Sequence, residues 1–234
     1  MEKQKIAKPT LMPTADQTFE IEGQGPWNFH RALQQARRLQ EEGKMEQACR
    51  ERYHAVQRLL DLLPEEEMLA LEWNHANTRA GMELLYLSMI DHFLIGDLEL
   101  SAALGECLLD CDPEDHLEAT THLAFIYLAM QEFDSFEELL PDLSEKDPER
   151  PLLLLWASWM QHGELDRAAL SLLKSRFAPW YGEFRCEEHP ADEAFLRDIS
   201  SERPSASARA RELWLKTENL WMQHPDFVEA LRKN

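Results

Sequence analysis

Three groups of residues in this chain have types and spacings that could do chemistry. Asp112, Glu114, Asp115 and His116 fall together, with His122 six residues further on. A six-residue step puts the two histidines on different faces of a helix, and no His-Glu-x-x-His motif occurs, so no metal site is expected there. Acids at this point suit a helix start, where the dipole favours negative charge. Cys186 follows Arg185 and stands near His189, which is the setting of an activated thiol. Its neighbours Glu187 and Glu188 work against a thiolate, and the residue reads as a loop cysteine. The third group is residues 72–79, where Glu72, His75, Asn77 and Arg79 do not share one stripe of a helix. Asn and Thr are mediocre helix formers, so either a hydrogen-bonded network between packed helices keeps them, or a polar recognition spot does. The chain has no Gly-x-Ser-x-Gly and no glycine-rich phosphate loop. The expectation is a non-enzyme with no catalytic residue, no cofactor and no metal.

The elements that would carry these residues are helices. At 44% apolar and 9% aromatic, the 234 residues can bury a sizeable core. No apolar run approaches the roughly 18 residues that span a bilayer. The first 22 residues hold no apolar segment of the kind a secretory signal needs. The four cysteines form no Cys-x-x-Cys, and Cys107 and Cys111 lie four apart on one predicted helix, as two reduced thiols would. A cytoplasmic location follows from these readings as an expectation. Residues 1–25 carry Pro9, Pro13, Gly23 and Gly25 without apolar period and read as a poorly ordered lead-in. A helix then runs from Pro26 and Trp27 to about residue 42 through Phe29, Leu33, Ala36 and Leu39, and a second spans 45–62. Residues 65–95 read as one long helix of about 45 Å, with Glu65, Glu66 and Glu67 at its start and a break at residues 79–81 as the alternative. Further helices are expected at 98–111, 116–130, 135–143, 151–162 and 165–177. Residues 178–204 read as irregular, with one short helix at 192–199, and the last helices lie at 209–223 and from Pro225 onward.

Charge is distributed unevenly. Residues 59–149 hold 23 Asp and Glu against Arg79 and Lys146 alone, while seven Lys and Arg fall between Arg31 and Arg58. Such a balance argues against nucleic acid and anionic membranes, which attract basic surfaces. It fits a solvated acidic surface or one that selects a basic partner.

One turn recurs along the chain, at Gly43, Gly96, Gln131 and Gly163. Each copy has a helix-ending residue, a polar one, an apolar one and a polar one, and two residues later a mostly small one: Ala48, Ser101, Phe136 and Ala168. Pro113 and Pro148 are 35 residues apart, and Gly96 and Gly163 are 67, close to one and two periods of about 34 residues. Leu123, Ala124, Tyr127, Phe133, Asp134 and Pro148 carry the pattern best. Leu85, Gly96, Asp97, Asp112 and Pro113 carry it before them, and Leu155, Trp159, Gly163 and Ala168 after. Over residues 82–180 the chain resembles the tetratricopeptide repeat (TPR) family. Phe136 departs from the small residue of that pattern, and Gly43 to Gly96 is 53 residues rather than 34.

The resemblance implies an all-α, right-handed solenoid of TPR-like helical hairpins over 26–177, closed by an irregular helical C-terminal cap over 178–234. It also implies a concave groove lined by the first helix of each unit. The groove slots are Glu83, Tyr86, Ile90 and Phe93, then Glu118, Thr121, Phe125 and Leu128, then Leu153, Ala157 and Met160. The Lys, Arg and Asn set with which some members clamp a peptide's terminal carboxylate is absent from these slots. The alternative for the apolar slots is plain core, and for Phe177, Trp180, Tyr181 and Phe184 it is packing of the cap. The functional expectation is an adaptor that binds a basic protein or peptide, without nucleic acid or membrane, and a homodimer through the same groove stays open. The other reading is an enzyme or small-ligand-binding protein with a pocket between the last repeat and the cap. The family pattern requires a small residue at 124. Ala124→Leu is therefore expected to cost about 1–3 kcal/mol in a urea melt, and a variant that unfolds like its parent would displace the register.

Overall fold

The computed structural model describes residues 8–64 and 69–234. Residues 1–7, part of the expected lead-in, and 65–68, which include Glu65, Glu66 and Glu67, lie outside the described residues. The chain is mostly helical and divides into two compact units, residues 1–126 and 127–234.

The first unit opens with a hairpin of two antiparallel strands, β1 (Thr10–Pro13) and β2 (Phe19–Glu22). Poor order was expected here and does not hold for these residues, because tertiary partners supply what the local sequence lacks. Ile21 is fully buried. Its N–H donates to Thr78 Oγ1 at 2.8 Å, and its carbonyl accepts from the Asn77 side-chain amide at 2.8 Å. Residues 70–72 run alongside β2: Phe19 N–H donates to the Ala70 carbonyl and Glu72 N–H to the Phe19 carbonyl, each at 2.9 Å. The expected long helix over 65–95 is thereby corrected, since residues 69–75 are extended and turn-like, and the helix begins at Ala76.

After a 3-10 turn at Gly25–Trp27 come α1 (Phe29–Glu41) and α2 (Met45–Leu60). Asn28 caps α1 by accepting the Arg31 N–H, and Phe29, Leu33, Ala36 and Leu39 form its buried stripe. Next are α3 (Ala76–Ile95), α4 (Leu98–Cys111) and α5 (Ala119–Met130). Helix α3 packs against α1, α2, α4 and β2, with buried residues over most of its circumference, from Thr78, Ala80 and Met82 to Leu84, Leu85, Met89 and Phe93. Gly105 of α4 lies where a Cβ would come to 3.0 Å from Met89 Sδ and 3.2 Å from a Leu123 methyl, so the missing side chain gives these two residues room. Arg52 of α2 is buried and grips Asp91 of α3 with two hydrogen bonds of 2.7 Å.

The recurring turn has one backbone solution. Gly43, Gly96, Gln131 and Gly163 all take positive φ, between 62° and 81°. At the first three, the next N–H reaches back to a carbonyl five residues earlier: Lys44 to Leu39, Asp97 to His92 and Glu132 to Tyr127. This is the Schellman closure of a helix end. Five residues past the turn, Ala48, Ser101 and Phe136 are buried, with Phe136 in place of the small residue of the pattern. In the fourth, Ala168 is exposed and Ala169 is buried. Asp166 caps that helix, which begins two residues later than the pattern placed its start.

The second unit continues with α6 (Phe133–Leu139), α7 (Glu149–His162), α8 (Arg167–Arg176) and α9 (Ala178–Arg185). It ends with α10 (Glu193–Ile199), α11 (Ala206–Gln223) and α12 (Pro225–Lys233). Helix α9 corrects the irregular reading of 178–204. Pro179 sits in its first turn, where a missing N–H costs nothing. Phe177, Trp180 and Phe184 are buried, and Phe184 lies 5.0 Å from Trp214 and 5.4 Å from Trp221. Trp156 of α7 meets Trp221 edge to face at 5.1 Å. The four aromatics assigned to cap packing thus seat this unit's core, with Tyr181 half-buried at its margin.

Asn77 satisfies two backbone groups at once, accepting from Phe29 N–H at 2.7 Å and donating to the Ile21 carbonyl. Asn77→Ala leaves both without a partner and is expected to cost about 2 kcal/mol or more in equilibrium unfolding, with the hairpin amides losing exchange protection first. Gln131 holds a left-handed conformation that costs a side-chain-bearing residue about 1–2 kcal/mol. Gln131→Gly is expected to raise stability by up to about 1 kcal/mol, since the glycine's extra freedom when unfolded offsets part of the gain.

Candidate functional site

The eleven groove slots divide by burial. Phe93, Phe125, Leu128, Leu153 and Ala157 are buried, while Glu83, Tyr86, Ile90, Thr121 and Met160 are half-buried and Glu118 is exposed. Much of the apolar floor is therefore core. In the first unit, Tyr86 of α3 sets its ring edge to face against His122 of α5 at 5.4 Å. Leu128, Leu153, Ala157 and Met160 belong to the second unit.

The two groove acids have different surroundings. Glu83 of α3 accepts from Arg37 of α1 at 2.6 Å and stands 3.7 Å from Arg79. Two of the chain's own cations thus already neutralise it. Glu118 sits in the loop before α5, at φ 56° and exposed to solvent. Around it the loop is built on acids. Asp112 is buried and accepts from the His116 N–H at 2.9 Å, with His116 Nδ1 at 2.7 Å from its other oxygen. Asp115 accepts from the N–H groups of Ala119 and Thr120 and so caps α5. Trp73 stacks on His116 with centroids 4.4 Å apart. The acids and the histidine that suggested metal chemistry in the sequence are here occupied with closing a helix start.

The polar stretch at 72–79 is a hydrogen-bonded network, though its partners are the hairpin and the start of α1 rather than other helix faces. Glu72 accepts from Thr18 at 2.8 Å, Asn77 bridges Ile21 and Phe29, and Thr78 is fully buried between Ile21 and His75. The hairpin's part in this junction was missed. A signal for it existed in the alternation Phe19, Glu20, Ile21, Glu22, which has the period of a strand.

Thiol chemistry finds no support in the geometry. Cys49, Cys107, Cys111 and Cys186 are free. Cys111 is buried, and its hydrogen bond to Cys107 together with burial pushes its thiol well up. The exposed Cys186 thiol donates to the Gly182 carbonyl at 3.3 Å. The ring of His189 is instead tied to Glu183, with Nδ1 2.7 Å from Oε1, and it stacks on Trp214 at 3.8 Å. Arg211 donates twice to the same carboxylate, at 2.6 and 3.0 Å. This buried triad joins α9, α11 and the loop before α10.

With the geometry in view, comparison with known proteins adds no relative: no family model matches the chain, and neither curated proteins nor solved structures give a match.

Burial alone would raise the Glu183 carboxyl, but the hydrogen bonds from Arg211 and His189 outweigh it and hold the group below the usual carboxylate range. A depressed folded value contributes stability that is present above the unfolded value and lost as pH falls through the folded one. The stability advantage of the parent over Glu183→Gln is expected to be full above about pH 4.3 and to shrink at lower pH. Parallel urea melts between pH 7 and pH 2.5 measure it, and a constant difference would contradict the assignment.

Proposed function

We propose that this protein is a non-catalytic interaction scaffold that holds a basic protein or peptide, on helical hairpins arranged as a TPR-like solenoid. The observation that supports it is acidic surface left without internal cations. In the first unit Asp97, Glu99, Asp110 and Glu118 are exposed, and in the second Glu132, Glu137, Glu138 and Asp142 are. Among the described residues, none of these eight is paired with Lys or Arg. The chain does pair acids where it has bases nearby, as at Glu83 with Arg37 and Asp91 with Arg52. Net charge of this kind in excess of internal needs lowers compact-state stability through self-repulsion, and a cationic partner relieves it. The half-buried Tyr86 and Ile90 of the first unit, and Met160 of the second, supply apolar contact within each unit. In this reading the acids steer and select, and the apolar contacts slow dissociation. The chain acts as a soluble cytoplasmic adaptor; no helix among the described residues is long and apolar enough to cross a membrane.

The test uses three sets of peptides of equal length, rich in Lys and Arg, neutral, or rich in Asp and Glu, with binding followed by fluorescence anisotropy. Basic peptides are expected to bind preferentially. Their association should slow several-fold as salt rises to the physiological range, where exposed charge is screened beyond about 8 Å, with dissociation little changed. Glu118→Lys combined with Glu137→Lys should weaken binding several-fold without lowering the melting temperature. Equal binding of the three sets, or affinity indifferent to salt and to both substitutions, would overturn the proposal.

A further inference from the structure

Strand β2 alternates its side chains across the sheet, so that Ile21 enters the core while Glu20 and Glu22 stand together on the other face. His75, the residue immediately before α3, meets them there. One carboxylate oxygen from each glutamate and a ring nitrogen of His75 lie within 4.8 Å of one another. Their carriers are fixed independently of any ligand. The Thr78 hydroxyl, fully buried, takes the Ile21 N–H at 2.8 Å from the strand and stands 2.7 Å from His75 Nδ1 on the helix side. Thr78 Oγ1 has a second lone pair that can accept from Nδ1–H, the tautomer in which Nε2 would offer its lone pair to an ion.

We propose that Glu20, Glu22 and His75 form a binding site for a divalent transition-metal ion of the zinc class. One imidazole and two carboxylates make a borderline donor set, with the histidine oriented by a hydrogen bond from its second nitrogen, as metal-binding histidines are. A tetrahedral ion with bonds of about 2.1 Å holds its donors about 3.4 Å apart. The observed separations close to that value by rotation of the glutamate side chains, with Glu22 exposed and free to turn. Two carboxylates held this close repel each other, and a dication between them reverses the sign of the interaction. Calcium needs six to eight oxygens and magnesium a nearly complete octahedron, which this set does not supply. The fourth position goes to water. Because the ligands come from the hairpin and from the start of α3, bound ion stabilises the docking of one on the other through linkage.

Zinc titration of the full chain, stripped with a chelator, tests the site by calorimetry and thermal melting. One equivalent is expected to bind and raise the melting temperature, with equal magnesium giving no shift. Glu20→Gln, Glu22→Gln and His75→Gln should each weaken zinc binding at least tenfold. Thr78→Val keeps all three ligands and loses the bond that orients the ring, and should weaken it about tenfold. In the unaltered protein, nitrogen NMR should show His75 Nε2, alone among the nine histidines, shifting on zinc addition. This last reading does not depend on any variant folding. Absence of zinc binding, a shift at another histidine instead, or undiminished affinity in the His75 and Glu20 variants would overturn the proposal.

Discussion

Helix α3 buries the greater part of its circumference, and the first unit is arranged to cover it. A broad apolar helix surface must be enclosed, and α1, α2, α4 and β2 each take a sector of it, leaving Arg79, Glu83, Tyr86 and Ile90 partly exposed. Its two polar ends are dealt with separately. Near the N-terminus, Asn77 and Thr78 face the hairpin and meet backbone groups that a sheet edge would otherwise leave open. Toward the C-terminus, Asp91 is matched by the guanidinium of Arg52, itself almost wholly buried. Removing either partner would strand a charge away from water, which costs far more than the pair itself contributes.

Local signals in the sequence were read well where helix ends are concerned. Four turns recognised by residue type alone share one positive-φ geometry, including the one that uses Gln131 where glycine is easier. Apolar periodicity likewise placed α1, α4, α11 and α12 within a few residues. Long-range hydrogen bonds decided the places where the reading failed. Residues 69–75 have an apolar stripe that continues into α3, yet Leu71 N–H donates to the Cys111 carbonyl at 2.7 Å and its neighbours pair with Phe19. A strand that gains partners from both ends of a unit outweighs helix propensity, which amounts to tenths of a kcal/mol per residue. The proline and glycine in α9 suggested a loop because their positions within a helix could not be known before its start was fixed. The Glu20, Glu22 and His75 cluster was invisible for a related reason: His75 lies more than fifty residues from the two glutamates, and the three match no spacing motif.

The charge distribution reads differently once the pairs are known. The basic stretch of α1 and α2 is partly consumed internally, by Glu83, Asp91, Glu42 and Glu46. Among the described residues, the exposed Asp97, Glu99, Asp110, Glu118, Glu132, Glu137, Glu138 and Asp142 have no Lys or Arg partner, so part of the asymmetry seen along the sequence is also an asymmetry of surface. Glu83 shows why a groove slot assigned by resemblance needs its neighbours before it can be given a role.

The junction around Ile21 also orders events during folding. Its N–H and carbonyl reach residues 78 and 77, and the segment that pairs with Phe19 is anchored in turn on residue 111. The hairpin leaves the ribosome long before any of these partners exist. Closing such distant contacts must wait for α3 and α4 to collapse, and it adds loop-closure entropy to the barrier. Until then β2 presents an unpaired edge bearing Phe19 and Ile21, flanked by Glu20 and Glu22. Those two carboxylates then act as gatekeepers, whose repulsion between chains discourages edge-to-edge association before the native partner arrives.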